Sequence, residues 1–356
     1  MFDKIQYFSS FSFVGKEKAL SLQRETADNV MKVYKDYIDL LKGIGILLVL
    51  CNHGLLQTFY VSVFHMPLFF FIAGLTFVAP QWCDCRTFLV KKTNRLLVPW
   101  VFFSVVSLLV EALVGKVGEN PFNGPLWFLQ TMFVSLVIYV ALNLCFRSRV
   151  LLNVVCCLLP VFVYVWLTCF SDDFYLPSLL IRSLGSTFFI HLGCQLRRLD
   201  TLKERPSLVL MLLSAIAFLA GGYASTCLYD TSHLIYANTG TYTYNLPLSL
   251  LTCIGGIIAV VLLSVKMQRL PAVNWLGKHS LVIMSVHFPV IERLNYLTSQ
   301  LFATDELPLL NKILISLPSY GLTLLFSIGA VYFCRKYIPK LTGYSGLIPV
   351  KRSQTS

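Results

Sequence analysis

The chain of 356 residues is 56% hydrophobic and only 13% charged, and its mean hydropathy is +0.71. This composition excludes an ordinary soluble globular domain and predicts a polytopic membrane protein. The formal net charge of +12 does not indicate a nucleic-acid partner, because the basic residues separate apolar segments instead of clustering on one polar face with interleaved aromatic residues.

Long apolar segments recur along the whole chain. A helix needs about 20 apolar residues to cross the hydrocarbon core of a bilayer. The sequence contains about ten such segments, separated by short polar or Pro- and Gly-containing connections. We therefore predict an all-α helical bundle whose transmembrane helices lie near residues 38–57, 62–80, 97–115, 126–146, 150–169, 177–195, 207–227, 246–265, 275–291 and 312–334.

The distribution of positive charge predicts the orientation of this bundle. If the N-terminus lies inside, 25 of the 29 Lys and Arg residues fall in the tails and loops on the inner side. Short loops with excess positive charge remain in the cytoplasm, so we predict that both termini are cytoplasmic. The expected parts are a cytoplasmic N-terminal tail (1–35), a transmembrane domain (36–335) and a cytoplasmic C-terminal tail (336–356).

The first two predicted spans contain three ionisable residues. Lys42 and His53 lie eleven positions apart in "DLLKGIGILLVLCNHG", about 16 Å along a helix and on roughly one face. His65 begins the second span in "FHMPLFFFIAG" and is expected to approach His53 across a tight hairpin. Alternatively, Lys42 is a positive-inside anchor, His53 a hydrogen-bonding group in helix packing, and His65 an anchor at the membrane interface.

Three later segments contain further candidate residues. "FLVKKTNRLLVPW" is basic and precedes the third span, "GPLWFLQTMF" places Trp127 at the start of the fourth span, and "LGKHSLVIMSVHFPV" places His287 in the ninth. Taken singly, these residues also suit topology signals, an interfacial aromatic belt and a satisfied interior histidine. Cys83 and Cys85 lack a second Cys or His pair at ligand spacing, so no metal site is predicted.

In this order, the four motifs resemble those of the integral-membrane acyltransferase 3 family. In that family a basic residue precedes the first-span histidine by ten intervening positions, as Lys42 precedes His53, although the family usually has Arg there. The basic segment resembles one that ends in R-L-x-x-P, "LWFL" resembles the start of the fourth span, and the late L-G-x-x-S segment likewise ends in His-x-Pro. The resemblance extends from about residue 36 to 335 and includes no fused soluble domain.

The resemblance implies a membrane-bound O-acyltransferase of the bacterial cytoplasmic (inner) membrane. It implies transfer of an acyl group, most often acetyl, from acyl-CoA to a hydroxyl of a cell-surface glycan or its lipid-linked oligosaccharide precursor, without a metal. The expected site residues are His53 and His65 for catalysis, Lys42, Lys91, Lys92 and Arg95 for acyl-CoA binding, and Trp127, Glu111, Arg182 and His287 for the acceptor or the cavity lining.

Acyl transfer to a sugar hydroxyl requires a base for the hydroxyl proton and a site for the nucleotide phosphates. A histidine inside the membrane can serve as the base, and cytoplasmic basic residues can bind the phosphates. Two other functions stay open at this stage. Buried His, Arg182 and Glu111 would also suit a proton-coupled transporter, although no internal repeat supports one. The chain could instead be a non-catalytic partner in glycan assembly, a role that retention of His53 disfavours.

Overall fold

The computed structural model describes residues 36–53, 59–114, 124–169, 178–198, 207–228, 246–267, 269–302 and 308–349. All regular secondary structure in these ranges is helical, which confirms the all-α prediction. The α-helices in chain order are α1 (36–53), α2 (Phe59–Ser62), α3 (His65–Leu75), α4 (Cys85–Lys92), α5 (Val98–Val114), α6 (Trp127–Cys145), α7 (Arg149–Cys169), α8 (Ser178–Arg198), α9 (Leu208–Leu228), α10 (Leu246–Met267), α11 (Pro271–Lys278), α12 (Ser280–Leu301) and α13 (Leu309–Tyr337).

The described residues confirm a polytopic helical membrane protein. Seven helical stretches are long and apolar enough to cross a membrane. They are Trp82–Leu113, Gly124–Cys145, Arg149–Leu167, Ser178–Arg197, Leu208–Cys227, Leu246–Met267 and Leu310–Tyr337. The other three predicted spans correspond to α1, to the shorter apolar stretch Tyr60–Leu75 and to α12. The count of ten and the cytoplasmic termini remain predictions.

Two predicted span boundaries are wrong. The second span ends at Leu75 instead of residue 80, and the chain then runs without helix towards Pro80, which disfavours helix in the residue before it. The predicted span 275–291 is in fact two helices. Pro271 starts the short helix α11, the helix is interrupted at His279, and α12 then runs from Ser280 to Leu301.

The basic segment before the third span is helical as well. A 3₁₀ turn at Trp82–Asp84 leads into α4, and a π-helical turn at Thr93–Leu97 joins α4 to α5. Lys91, Lys92 and Arg95 therefore lie on a helical extension that leads into α5, at the end of the bundle predicted to face the cytoplasm. We call this extension, residues 85–97, the basic extension.

Helices α3 and α8 cross closely in the interior of the bundle. A Cβ atom on Gly74 would overlap the carbonyl oxygen of Ile190, and one on Gly193 would overlap the carbonyl oxygen of Phe71. Glycine on both helices lets the backbones approach, which is how small residues drive helix association in membranes. The thiol of Cys194 adds a contact to the carbonyl of Gly74 at 3.2 Å.

We expect Gly193→Ala to lower the stability of the bundle by about 1 to 3 kcal/mol, because the added methyl group forces α3 and α8 apart. Thermal unfolding of the purified protein in detergent measures this loss. Gly321→Ala is the matched control, because nothing lies within 4 Å of the added Cβ at that helical position. The crossing would not be a tight constraint if the two variants unfolded at the same temperature.

The outer surface of the bundle is strongly apolar. Leu113, Val150 and Leu325 are 85%, 72% and 67% exposed, and further leucines and valines of α5, α7, α9 and α13 are exposed around them. A soluble monomer rarely exposes such continuous apolar surface, whereas lipid tails cover it without cost.

Candidate active site

The described part of α1 ends at His53, whose backbone is held by two other helices. The carbonyl of His53 accepts a hydrogen bond from Asn295 Nδ2 of α12 at 2.9 Å. The carbonyl of Cys51 accepts one from the Tyr320 hydroxyl of α13 at 3.3 Å. Both bonds use main-chain oxygens, so they fix the position of His53 while its half-buried imidazole remains available for chemistry.

His287 of α12 packs against the His53 ring. The two ring centroids are 5.3 Å apart and the ring planes are inclined at 47°. Phe288 also contacts the His53 ring, in an edge-to-face arrangement with centroids 5.1 Å apart. Helix packing thus brings together two histidines that are more than 230 positions apart in the sequence.

The backbone of α12 determines the tautomer of His287. Its Nδ1 lies 3.1 Å from the carbonyl oxygen of Ile283 and 2.9 Å from that of Met284. Carbonyl oxygens only accept, so Nδ1 must bear the hydrogen and Nε2 of the neutral ring has a free lone pair. His287 is fully buried, and within the described residues its Nε2 has no hydrogen-bond partner. A buried acceptor without a donor is costly, and this cost is removed if a donor arrives there.

His65 belongs to the same cluster of histidines. It is 1% exposed, and it lies close enough to His53 and to His287 to interact electrostatically with both. Its Nδ1 contacts the carbonyl oxygen of Val61 at 2.8 Å, which again places the hydrogen on Nδ1. This bond does not involve His53. In the described residues the His53 ring contacts His287 and Phe288.

Four basic residues lie away from the histidine cluster. Lys42 lies towards the other end of α1 from His53, and Lys91, Lys92 and Arg95 lie on the basic extension before α5. Lys91 and Arg95 are exposed. Lys92 lies over the Phe88 ring, with its Nζ 5.5 Å from the centroid. Lys42 forms an ion pair with Asp39 at 3.5 Å. Lys42 and the basic extension are on the predicted cytoplasmic side, and Lys42 has an acidic partner there.

The remaining predicted residues lie at the other end of the bundle. The Arg182 guanidinium sits 5.3 Å from the centroid of the Trp127 ring, in a cation–π contact, and its buried Nε has no hydrogen-bond partner among the described residues. Glu111 is half-buried in the last turn of α5. The antiparallel succession of α5 and α6 places Glu111 and Trp127 at one end, opposite the basic extension.

Sequence reasoning missed several polar residues beside the histidines. Asn295 lies two helical turns beyond His287 on the same face of α12, a spacing that could have identified it. Asn52 precedes His53 and is 1% exposed. Its Oδ1 accepts a hydrogen bond from Ser62 Oγ at 2.6 Å, while its Nδ2 has no partner among the described residues. The site thus contains a buried donor as well as a buried acceptor.

The described residues contain no group of three or more His, Cys, Asp or Glu that could hold a metal ion.

Comparison with known proteins identifies the family. The acyltransferase domain of the acyltransferase 3 family matches residues 35–333, nearly the whole chain. No curated protein and no solved structure matches the chain. Since the match includes the helices that contain the histidine cluster and the basic extension, the chain belongs to the acyltransferase 3 family of membrane acyltransferases.

Proposed function

We propose that this acyltransferase transfers an acyl group, in the first instance acetyl, from acyl-CoA to a hydroxyl of a cell-surface glycan or its lipid-linked oligosaccharide precursor. The proposed location is the bacterial cytoplasmic membrane. The observation that carries the proposal is the contact between His53 and His287, which places a base beside a second imidazole with a free lone pair, inside a domain of an acyltransferase family.

In the proposed reaction, a ring nitrogen of His53 removes the proton of the acceptor hydroxyl. The hydroxyl oxygen attacks the thioester carbonyl carbon, and the carbon–sulfur bond then breaks. The CoA thiolate leaves and takes the proton back from the imidazolium, which restores neutral His53. A positioned base of this kind contributes about 10² to 10⁴ in rate. The buried amide of Asn52 is the proposed hydrogen-bond donor to the developing oxyanion. His65, whose Nε2 can only accept in this tautomer, is the proposed acceptor for a hydroxyl of the glycan.

The donor is proposed to enter from the end that bears the basic residues. Lys91, Lys92 and Arg95 would bind the phosphates of the nucleotide, with Lys42 nearby, and the pantetheine arm would extend along the interior towards His53. The charge distribution supports this direction, since Lys91 and Arg95 are exposed at the predicted cytoplasmic end. The acceptor would approach from the other end, past Trp127, Glu111 and Arg182.

Acceptor-dependent release of CoA tests this function. Purified protein in detergent is mixed with acetyl-CoA and with glycan from the producing cells, and the free thiol is measured. We expect thiol release to rise with added glycan. Thiol release that does not depend on glycan would indicate simple thioester hydrolysis and would contradict the proposed acceptor.

Neutralising the basic extension should weaken donor binding. In the double variant Lys92→Gln/Arg95→Gln, we expect the Kd for acetyl-CoA to rise about 100-fold, because two lost charge-assisted hydrogen bonds cost about 1.5 kcal/mol each. The loss should be smaller for a donor that lacks the 3′-phosphate. Calorimetric titration of the detergent-solubilised protein measures both constants.

Lys336→Gln is the matched control for this pair. Lys336 lies at the same end of the bundle and its Nζ is 5.0 Å from the centroid of Tyr337, so its contact resembles that of Lys92 with Phe88. The control removes one positive charge from the same side without touching the basic extension. Equal weakening in both proteins would reduce the role of Lys92 and Arg95 to general surface charge.

A further inference from the structure

After α13, residues 338–349 fold back over the end of the bundle that bears the basic extension. Three backbone hydrogen bonds hold this segment in tight turns: Leu341 to the carbonyl of Ile338, and Tyr344 and Ser345 to the carbonyl of Pro339. The segment lies beyond the part of the chain that matches the family, which ends at residue 333. We call residues 338–349 the C-terminal clasp.

The clasp is bound by Asn94, a buried side chain in the π-helical turn. Asn94 Oδ1 accepts hydrogen bonds from the backbone N–H groups of Leu347 at 3.0 Å and Ile348 at 2.8 Å. Asn94 Nδ2 donates to the carbonyl of Ile348 at 2.8 Å. One amide thus uses both its donor and its acceptor on the backbone of a segment about 250 residues away, which ties the two together independently of the side chains of the clasp.

Two further contacts hold the clasp in place. Gly343 has φ of +80°, and a Cβ there would lie 3.2 Å from Pro99 Cγ and 3.3 Å from the carbonyl oxygen of Arg95. The Tyr344 hydroxyl lies 2.8 Å from His279 Nδ1, between α11 and α12. Burial raises the pKa of the Tyr344 phenol to about 12, so its O–H group is retained at neutral pH.

The clasp covers the backbone of the π-helical turn and leaves the basic side chains in and beside that turn accessible. Asn94 is 6% exposed, whereas its neighbours Lys91 and Arg95 remain exposed. A π-helical turn is uncommon, occurs frequently at functional sites, and disrupts the regular ladder of hydrogen bonds. The contacts of Asn94 and Gly343 lie on this turn, at residues 93 to 97 and directly after it. These contacts indicate that the clasp supports the π-helical turn and does not block access to the basic side chains.

We propose that the C-terminal clasp is a positioning element, which acts through Asn94 to hold the Lys91, Lys92 and Arg95 side chains in the arrangement that binds the nucleotide phosphates of the acyl donor. This inference rests on the proposed function of the basic extension as the donor site. Asn94 itself is a positioning residue, because its hydrogen bonds go to the clasp and not to the donor.

Steady-state kinetics of the full-length protein with two donors test the proposal. Acetyl-CoA has the nucleotide phosphates, whereas acetyl-pantetheine has the same thioester without them. For Asn94→Ala, we expect the KM for acetyl-CoA to rise about tenfold, equivalent to about 1.4 kcal/mol. We expect kcat to stay within about twofold and the KM for acetyl-pantetheine to stay unchanged, because only phosphate binding depends on the basic extension.

Gly343→Ala tests the same contact from the side of the clasp, since a left-handed backbone position next to Pro99 strains any side chain. It should reproduce the donor-selective rise in KM, and it decides the question if Asn94→Ala does not fold. Asn274→Ala is the control. Asn274 likewise donates to a backbone carbonyl, that of Asp36 at 2.6 Å, and accepts from the Leu270 N–H at 2.9 Å, but it joins α11 to α1. Its loss should lower stability without a donor-selective change.

Four outcomes would contradict the proposal. A lower KM for acetyl-CoA would mean that the clasp obstructs the donor, and an equal change for both donors would mean a purely structural role; either overturns the proposal. If the wild-type protein itself shows no preference for acetyl-CoA over acetyl-pantetheine, both the proposed donor site and the proposed role of the clasp are refuted. A clear wild-type preference that survives in both variants refutes only the proposed role of the clasp.

Discussion

His53→Ala should abolish acyl transfer while the bundle stays folded. The imidazole is the proposed base, and removal of a positioned base lowers turnover by about 10² to 10⁴. The fold should survive, because α12 and α13 hold the end of α1 through the carbonyls of His53 and Cys51, which alanine at position 53 retains. Turnover with acetyl-CoA and glycan, and elution of the detergent-solubilised protein as one sharp peak, are the two measurements.

His191→Ala is the matched control for this variant. His191 is a buried histidine of α8 whose Nδ1 lies 3.2 Å from the Tyr139 hydroxyl and whose Nε2 lies 3.2 Å from Gln195 Nε2. Its removal should lower stability and preserve turnover, because it takes an imidazole from the interior without touching the histidine cluster. Activity of His53→Ala within a few-fold of wild type would refute the assignment of His53 as the base.

A second large effect is expected at His287, where two amide substitutions separate chemistry from structure. Asparagine can place a donor near the position of Nδ1 and keep the bonds to the Ile283 and Met284 carbonyls, but it has no group at the position of Nε2. Glutamine reaches the position of Nε2 and can present an acceptor there. If the free lone pair of Nε2 assists His53, His287→Asn should lower kcat at least about tenfold and His287→Gln should lower it less.

The KM for acetyl-CoA should change little in either variant, because His287 is distant from the basic extension and acts on the chemical step. Both kcat and KM come from the same rate measurements on purified protein. The opposite order of the two variants, with asparagine near wild type and glutamine impaired, would show that His287 serves only as a donor to its own helix.

Much of the fold follows from local sequence properties. Apolar length predicts helices wherever about 20 residues must satisfy their own backbone in lipid, which is why the helical bundle is confirmed. Boundaries are harder to predict, because apolar composition continues past the point where a helix ends. Helix α3 ends at Leu75 within a segment that is apolar up to Pro80, and the interruption at His279 separates α11 from α12.

The candidate site is only partly visible in the sequence. His53 and His65 are twelve positions apart, and this spacing alone suggests that they lie near each other. The contact between His53 and His287 depends on how α1 and α12 pack, which no periodicity reveals; the order of the family motifs was the available signal. The bonds of Asn94 to Leu347 and Ile348 had no signal at all, because they join backbone groups of one segment to a side chain far away in the sequence.

The most direct test of acyl transfer at the histidine cluster uses acetyl-CoA labelled in the acetyl group. Wild-type protein and His53→Ala are reconstituted in liposomes with the glycan of the producing cells, and label in the glycan is counted before and after mild alkali, which cleaves O-acyl esters. Label should enter the glycan only with the wild-type protein, and alkali should release it. Unlabelled glycan with the folded wild-type protein, or labelling by His53→Ala at the wild-type rate, would contradict this account.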